Sequence, residues 1–105
     1  MSVEKRKAPR LQVELPVRWE GVLTQQVGTV TSISESGCFI LTGGQVQQKE
    51  LIRLEIDFPS GPACFWSEVV DEAYEIGFAV RFTSADDEEM ALLQAFLKAG
   101  LRRNN

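Results

Sequence analysis

The strongest constraint on this chain is a polar–apolar alternation that recurs along most of its length. Leu11, Val13, Leu15, Val17 and Trp19 are apolar, and Gln12, Glu14, Arg18 and Glu20 between them are polar. A period of two belongs to a strand with one buried and one wet face, because successive side chains point to opposite sides of a pleated backbone. Pro16 falls on the polar side and lacks a backbone donor, so an edge or a bulge is expected there. Val27 to Ser34, rich in valine, threonine and isoleucine, reads as a second strand. Cys38 to Leu41 reads as a short third one buried on both faces, ended by the turn Thr42-Gly43-Gly44. Leu51 to Phe58 alternates again, and Pro59-Ser60-Gly61-Pro62 is a strong turn signal. Ala63 to Tyr74 reads as a long strand of mixed pattern, and Ile76 to Phe82 as a sixth. Six short strands at regular spacing predict an all-β fold, a six-stranded antiparallel β-barrel.

After Phe82 the period changes. Met90, Leu93, Phe96, Leu97 and Leu101 recur at three- and four-residue steps, which is an amphipathic helix. Ser84 is the expected N-terminal cap, Asp86 to Glu89 suit the positive helix end, and Gly100 is the expected stop, so the C-terminal α-helix is placed at about 84–99. Its apolar stripe is expected to cover one opening of the barrel. The 105 residues suffice for one core and leave no room for a second domain. Residues 11–101 are therefore read as a single barrel domain and 1–10 as a flexible arm.

Charge separates these two parts. The net charge is −4. Residues 4–10 (Glu4, Lys5, Arg6, Lys7, Arg10) carry +3, whereas residues 11–101 hold five basic and fourteen acidic side chains, or −9. A cationic arm on an acidic body suits a small anionic partner and argues against a nucleic-acid polymer. The chain contains no histidine, which removes the commonest general base and metal ligand. Cys38 and Cys64 form no Cys-x-x-Cys pattern and lie in apolar surroundings, so both are expected to be buried structural thiols. No nucleophile elbow, Walker loop or dinucleotide fingerprint is present. No enzyme activity, catalytic residue, metal or cofactor is expected. Without an apolar run of about 18 residues or a signal peptide, membrane insertion is not expected and a cytoplasmic location is.

Two clusters remain. Arg6 and Arg10 form Arg-x-x-x-Arg just before the first strand, and Pro9 disfavours helix at Ala8, so the pair sits on extended or turned chain. Guanidinium forks of this kind can hold phosphate oxygens or the O6 and N7 of guanine in bidentate fashion, although in isolation such a pair more often belongs to a solvated tail. Ser32, Ser34 and Gly37 follow the second strand. Ser32 and Ser34, two apart, are expected on one strand face. Gly37 is expected to supply a positive φ or a close backbone approach, and the cluster alone also reads as an ordinary hairpin.

In order and spacing, the two clusters resemble the PilZ domain family, whose signature is Arg-x-x-x-Arg followed some twenty residues later by (Asp/Asn)-x-Ser-x-x-Gly. Ile76-Gly77-Phe78-Ala79-Val80-Arg81-Phe82 is similar to that family's closing strand, and the resemblance runs from about Arg6 to Ala99. It implies a split barrel and a stand-alone receptor for cyclic di-GMP. The arm would fold over the ligand and alter contact with a protein partner in motility, pilus or exopolysaccharide machinery. Carried over, Arg6 and Arg10 form the clamp, Ser32 and Ser34 are polar contacts, and Gly37 sets the backbone. Lys5 lies where the family varies in binding one or two ligand molecules. Trp66 or Phe65 is a candidate stacking surface, with a core role as the alternative for Trp66.

Ser32 departs from the signature, standing where a carboxylate or amide would meet guanine. Loss of a bidentate pair is worth roughly 1–3 kcal/mol, about 5- to 150-fold in affinity. The alternative function is accordingly a degenerate PilZ-like scaffold that binds proteins and no nucleotide. A barrel for single-stranded nucleic acid is a third reading, opposed by the acidic body.

Overall fold

The computed structural model describes residues 10–22, 25–73 and 76–103. Six strands precede one helix: β1 (Leu11–Glu20), β2 (Gln25–Ile33), β3 (Gly37–Leu41), β4 (Leu51–Phe58), β5 (Gly61–Ala73), β6 (Gly77–Ser84) and α1 (Asp87–Arg103). The strands form a closed antiparallel barrel in the order β1-β2-β3-β6-β5-β4, with β4 returning to β1. Alternation dictates the wall. Leu15, Val17, Trp19, Ile52, Leu54, Ile56, Phe65 and Val69 point inward and are buried, whereas Arg18, Glu20 and Arg53 point outward.

The core is aromatic as well as aliphatic. Trp19 meets Phe78 edge-on with centroids 5.1 Å apart, and Phe65 stacks on Phe82 at 4.7 Å. Buried Trp19 satisfies its indole N–H by donating to Thr42 Oγ1 at 3.2 Å, and that hydroxyl donates in turn to the Val27 carbonyl at 3.0 Å. Helix α1 seals one end through Leu93 and Leu97, both buried, and through Phe96, which packs edge-on against Phe58 at 5.1 Å. The amphipathic stripe predicted from spacing is thus the sealing face.

Several local expectations are corrected. Pro16 lies at no edge, because closure leaves none: it pairs with Thr29, and the bulge falls between Gln12 and Leu15. Ser84 does not cap the helix. It still pairs with Trp66 in the sheet, and Asp86 stands at the cap, its N–H donating to Glu89 Oε1 at 3.2 Å and its carbonyl receiving Met90 N at 2.9 Å. Gly100 does not stop the helix, which runs on to Arg103. A Cβ at position 100 would strike the Leu11 side chain, so glycine serves close packing of α1 on β1. Nor is β3 buried on both faces: Cys38 and Ile40 are inside, Phe39 is half-buried and Leu41 is exposed.

Candidate functional site

The β1–β2 pairing brings the two sequence clusters together. Leu11 faces Ile33 and Gln12 faces Ser32, so Arg10, one residue before β1, lies beside the chain leaving β2. Its Nη1 donates to Ser32 Oγ at 2.7 Å across 22 residues of sequence. Both groups are on the outer face, Arg10 exposed and Ser32 half-buried. Arg6 and Lys5 lie outside the described residues.

The turn from β2 to β3 is built by the serines. Ser34 N donates to the Gly37 carbonyl at 2.8 Å, and Ser34 Oγ accepts the Ser36 N–H at 3.2 Å, a side-chain-closed turn. Ser34 is only 3% exposed. It therefore does not share the outer face with Ser32, as two-residue spacing predicted, because β2 ends at Ile33 and the chain turns inward. Among the described residues, left-handed backbone occurs at Lys49 (φ 70°) and Gly61 (φ 138°), so the positive φ expected at Gly37 is absent. Glycine is required there for another reason: any Cβ would run into the Val80 carbonyl of β6. The close approach is to the neighbouring strand.

That contact adds a residue which sequence reasoning passed over. Gly37 pairs with Arg81, and Ser36 O accepts Phe82 N at 2.8 Å, so β6 is clamped against the turn. Arg81 points outward from this clamp and ion-pairs with Glu68 of β5. The alternation in 76–82 placed Arg81 on the wet face. What the sequence could not show was that β6 lies beside β3, since the two are separated by two strands in the chain. Between the arginines, Ser32 pairs with Phe39 and Phe39 with Ala79, giving a floor whose centre is the half-buried Phe39 ring. Two strand spacings across and two residues along, about 12 Å in all, separate the Ser32 and Arg81 positions. Such a surface offers the exposed Arg10 guanidinium, an Arg81 guanidinium whose charge Glu68 offsets, and a flat apolar patch between them.

Trp66 is half exposed at 51%, so the core alternative fails for it, whereas Phe65 is fully buried and offers no stacking face. Trp66 stands two residues before Glu68 on the outside of β5, opposite Arg53 and Ser84. It is thus offset by about one side-chain step from the Arg81–Glu68 pair. The cysteines also separate. Burial pushes the Cys38 thiol up to about 12, with the Arg10 guanidinium pulling slightly the other way. Cys64 is only half-buried and accepts from Arg53 Nη2 at 3.2 Å, which corrects the expectation that both thiols are internal. A second charged groove, about 320 Å³, lies at the other end of β1 between Arg18, Glu20, Arg53 and Glu55. Its cations face carboxylates, with Arg18 2.6 Å from Glu55, so it presents no net positive field to an anion.

Fold and site together define a small closed β-barrel with an arginine-framed patch on its outer wall. The model of the PilZ domain matches residues 4–99, and the chain belongs to that family. Solved structures share the fold. The PilZ domain with c-di-GMP of YcgR from Escherichia coli superposes with a TM-score of 0.76 at 12% identity, over 96% of this chain and 95% of that one. The Bacillus subtilis inhibitor of motility (MotI/DgrA) gives 0.76 at 19%, covering 97% of this chain and 52% of that one. The K. pneumonia MrkH–c-di-GMP complex gives 0.71 at 16%, covering 98% and 56%. The chain thus spans about half the length of the MotI and MrkH chains. No curated protein sequence matches it. Among the described residues, no helix is long and apolar enough to cross a membrane.

Proposed function

We propose that this chain is a cyclic di-GMP receptor that works as an adaptor. Its N-terminal arm, through Arg6 and Arg10, closes over the dinucleotide and changes contact with a partner protein. The observation that carries the reading is the hydrogen bond from Arg10 to Ser32, which joins the two family motifs at one place on the barrel wall. Family membership supports it, as do the dinucleotide complexes named for YcgR and MrkH. In this reading Arg10 and Arg81 meet phosphates or guanine edges, and Phe39 lies beneath a base. Ser34 and Gly37 act at one remove, by holding the turn against β6. Trp66 supplies a stacking face at the rim, and Lys5 acts from the arm.

Ordering the arm costs roughly 1–2 kcal/mol per residue fixed. Ligand contacts offset that cost, so arm closure depends on the ligand and serves as the signal. Titration calorimetry with cyclic di-GMP tests the proposal. Wild type is expected to bind and Arg10→Ala to bind roughly 10- to 100-fold more weakly, the loss of a charge-assisted fork. No heat from micromolar wild-type protein with excess ligand would defeat it.

One observation favours a second reading, the degenerate scaffold. Ser32 replaces the signature's carboxylate or amide, and its hydroxyl already engages Arg10. An Arg10→Ala variant that retains full biological activity would favour that reading over the receptor.

A further inference from the structure

Ser32 Oγ accepts from Arg10 and keeps one O–H donor and one lone pair, so a bidentate contact to a base edge calls for a second polar group on this wall. Gln12 is directly across the β1–β2 pairing from Ser32. The adjacent pair, Leu11 and Ile33, points into the core, so Gln12 and Ser32 share the outer face. Side chains opposite one another in an antiparallel pair have Cβ atoms about 4.5–5.5 Å apart. Gln12 is exposed and lies two residues after Arg10, so its amide reaches the same few ångströms of surface that the guanidinium and hydroxyl occupy. It also borders the groove between β1 and α1, and a glutamine's rotatable side chain can present the amide to either side.

We infer that the Gln12 carboxamide reads the edge of a purine held beside Arg10 and Ser32, and that it admits adenine as well as guanine. The inference rests on the cyclic-dinucleotide reading of this site. A carboxamide sets an acceptor oxygen next to an N–H donor. Guanine presents O6 next to N1–H, and adenine presents its exocyclic N–H next to N1. One amide therefore satisfies either base by turning over. A carboxylate offers acceptors only. It accepts from guanine N1–H and the exocyclic amine but leaves adenine N1 facing a lone pair. A serine hydroxyl, with one rotating hydrogen, discriminates little. With Gln12 as the reader, the site holds purine dinucleotides with weak selectivity at this position.

Calorimetric titrations of cyclic di-GMP and of cyclic di-AMP, which must place adenine at this position, into wild type, Gln12→Glu, Gln12→Ala and Arg10→Ala test this, with thermal melts to confirm folding. Wild type is expected to bind the two ligands within about fivefold of each other. Gln12→Glu is expected to widen the preference for cyclic di-GMP by about 5- to 150-fold, and Gln12→Ala to weaken both ligands by a similar factor. A selectivity ratio that Gln12→Glu leaves unchanged, or affinities that Gln12→Ala leaves unchanged, would overturn the inference. If those variants behave like wild type while Arg10→Ala loses binding, the receptor reading stands and this one falls. If wild type binds neither dinucleotide, the receptor reading fails and takes this inference with it.

Discussion

At the scale of single residues, Ser32 and Cys38 carry the sharpest consequences. Ser32 stands where the family signature has Asp or Asn, and its hydroxyl receives Arg10 Nη1 at 2.7 Å. Ser32→Asp places a carboxylate beside that guanidinium and supplies two acceptors to a guanine edge. Cyclic di-GMP is expected to bind more tightly by about 5-fold or more, up to the 150-fold value of a full bidentate pair. Unchanged affinity in calorimetry would remove Ser32 from the base contact. Cys38 gives a pH signature independent of any ligand. Its folded pKa is pushed from 9.0 up to about 12 by complete burial. The folded state therefore holds a proton that the unfolded chain releases, and the associated stability is intact below pH 9 and lost as pH rises from 9 towards 12. The slope reaches about 1.4 kcal/mol per pH unit. Urea melts of wild type should lose stability across that window more steeply than those of Cys38→Val. Parallel curves would contradict the assignment.

At the scale of elements, the helix start makes a specific claim. Glu89 accepts the Asp86 N–H through Oε1 at 3.2 Å and the Cys64 N–H of β5 through Oε2 at 2.9 Å. One carboxylate thus caps α1 and ties it to the barrel. Glu89→Ala is expected to lower stability by about 1–2 kcal/mol in denaturant melts, the combined effect of a lost cap and an unpaired strand N–H. A loss under about 0.3 kcal/mol would show the tie to be idle.

The same junction shows what a sequence reveals and what it hides. The strands were legible because burial on one face imposes period two, and the helix because its apolar residues recur every three or four. Which residue caps was not legible. Ser84 and Asp86 both suit the role, and the choice turns on β6 keeping Ser84 paired with Trp66. The role of Gly100 was hidden for a similar reason: it answers to Leu11 across the fold and not to helix termination. In the site, spacing exposed Arg10, Ser32 and the turn glycine. Arg81 and Gln12 emerged only once the β3–β6 and β1–β2 registers set them beside that cluster. The inward turn of Ser34 likewise depended on where β2 ends.

At the scale of the molecule, the net charge of −4 conceals the arrangement that matters, a +3 arm on a −9 body. Arg10 of that arm is held against the barrel wall by Ser32, and Arg81 stands on β6 with its charge offset by Glu68. In the proposed function, a localised cationic arm suits a compact anion better than a long polyanion, whose remaining phosphates would face acidic surface. In the proposed function, the arm, the β2–β3 turn and β6 bind cyclic di-GMP as one unit. The most direct measurement follows backbone amide resonances during titration with the nucleotide. Residues 4–12, 32–37 and 79–82 are predicted to shift together, with one common binding curve, while residues 18–27 and 53–57 around the opposite groove stay in place. Saturating nucleotide that moves none of the first set, or shifts confined to the second, would contradict the account.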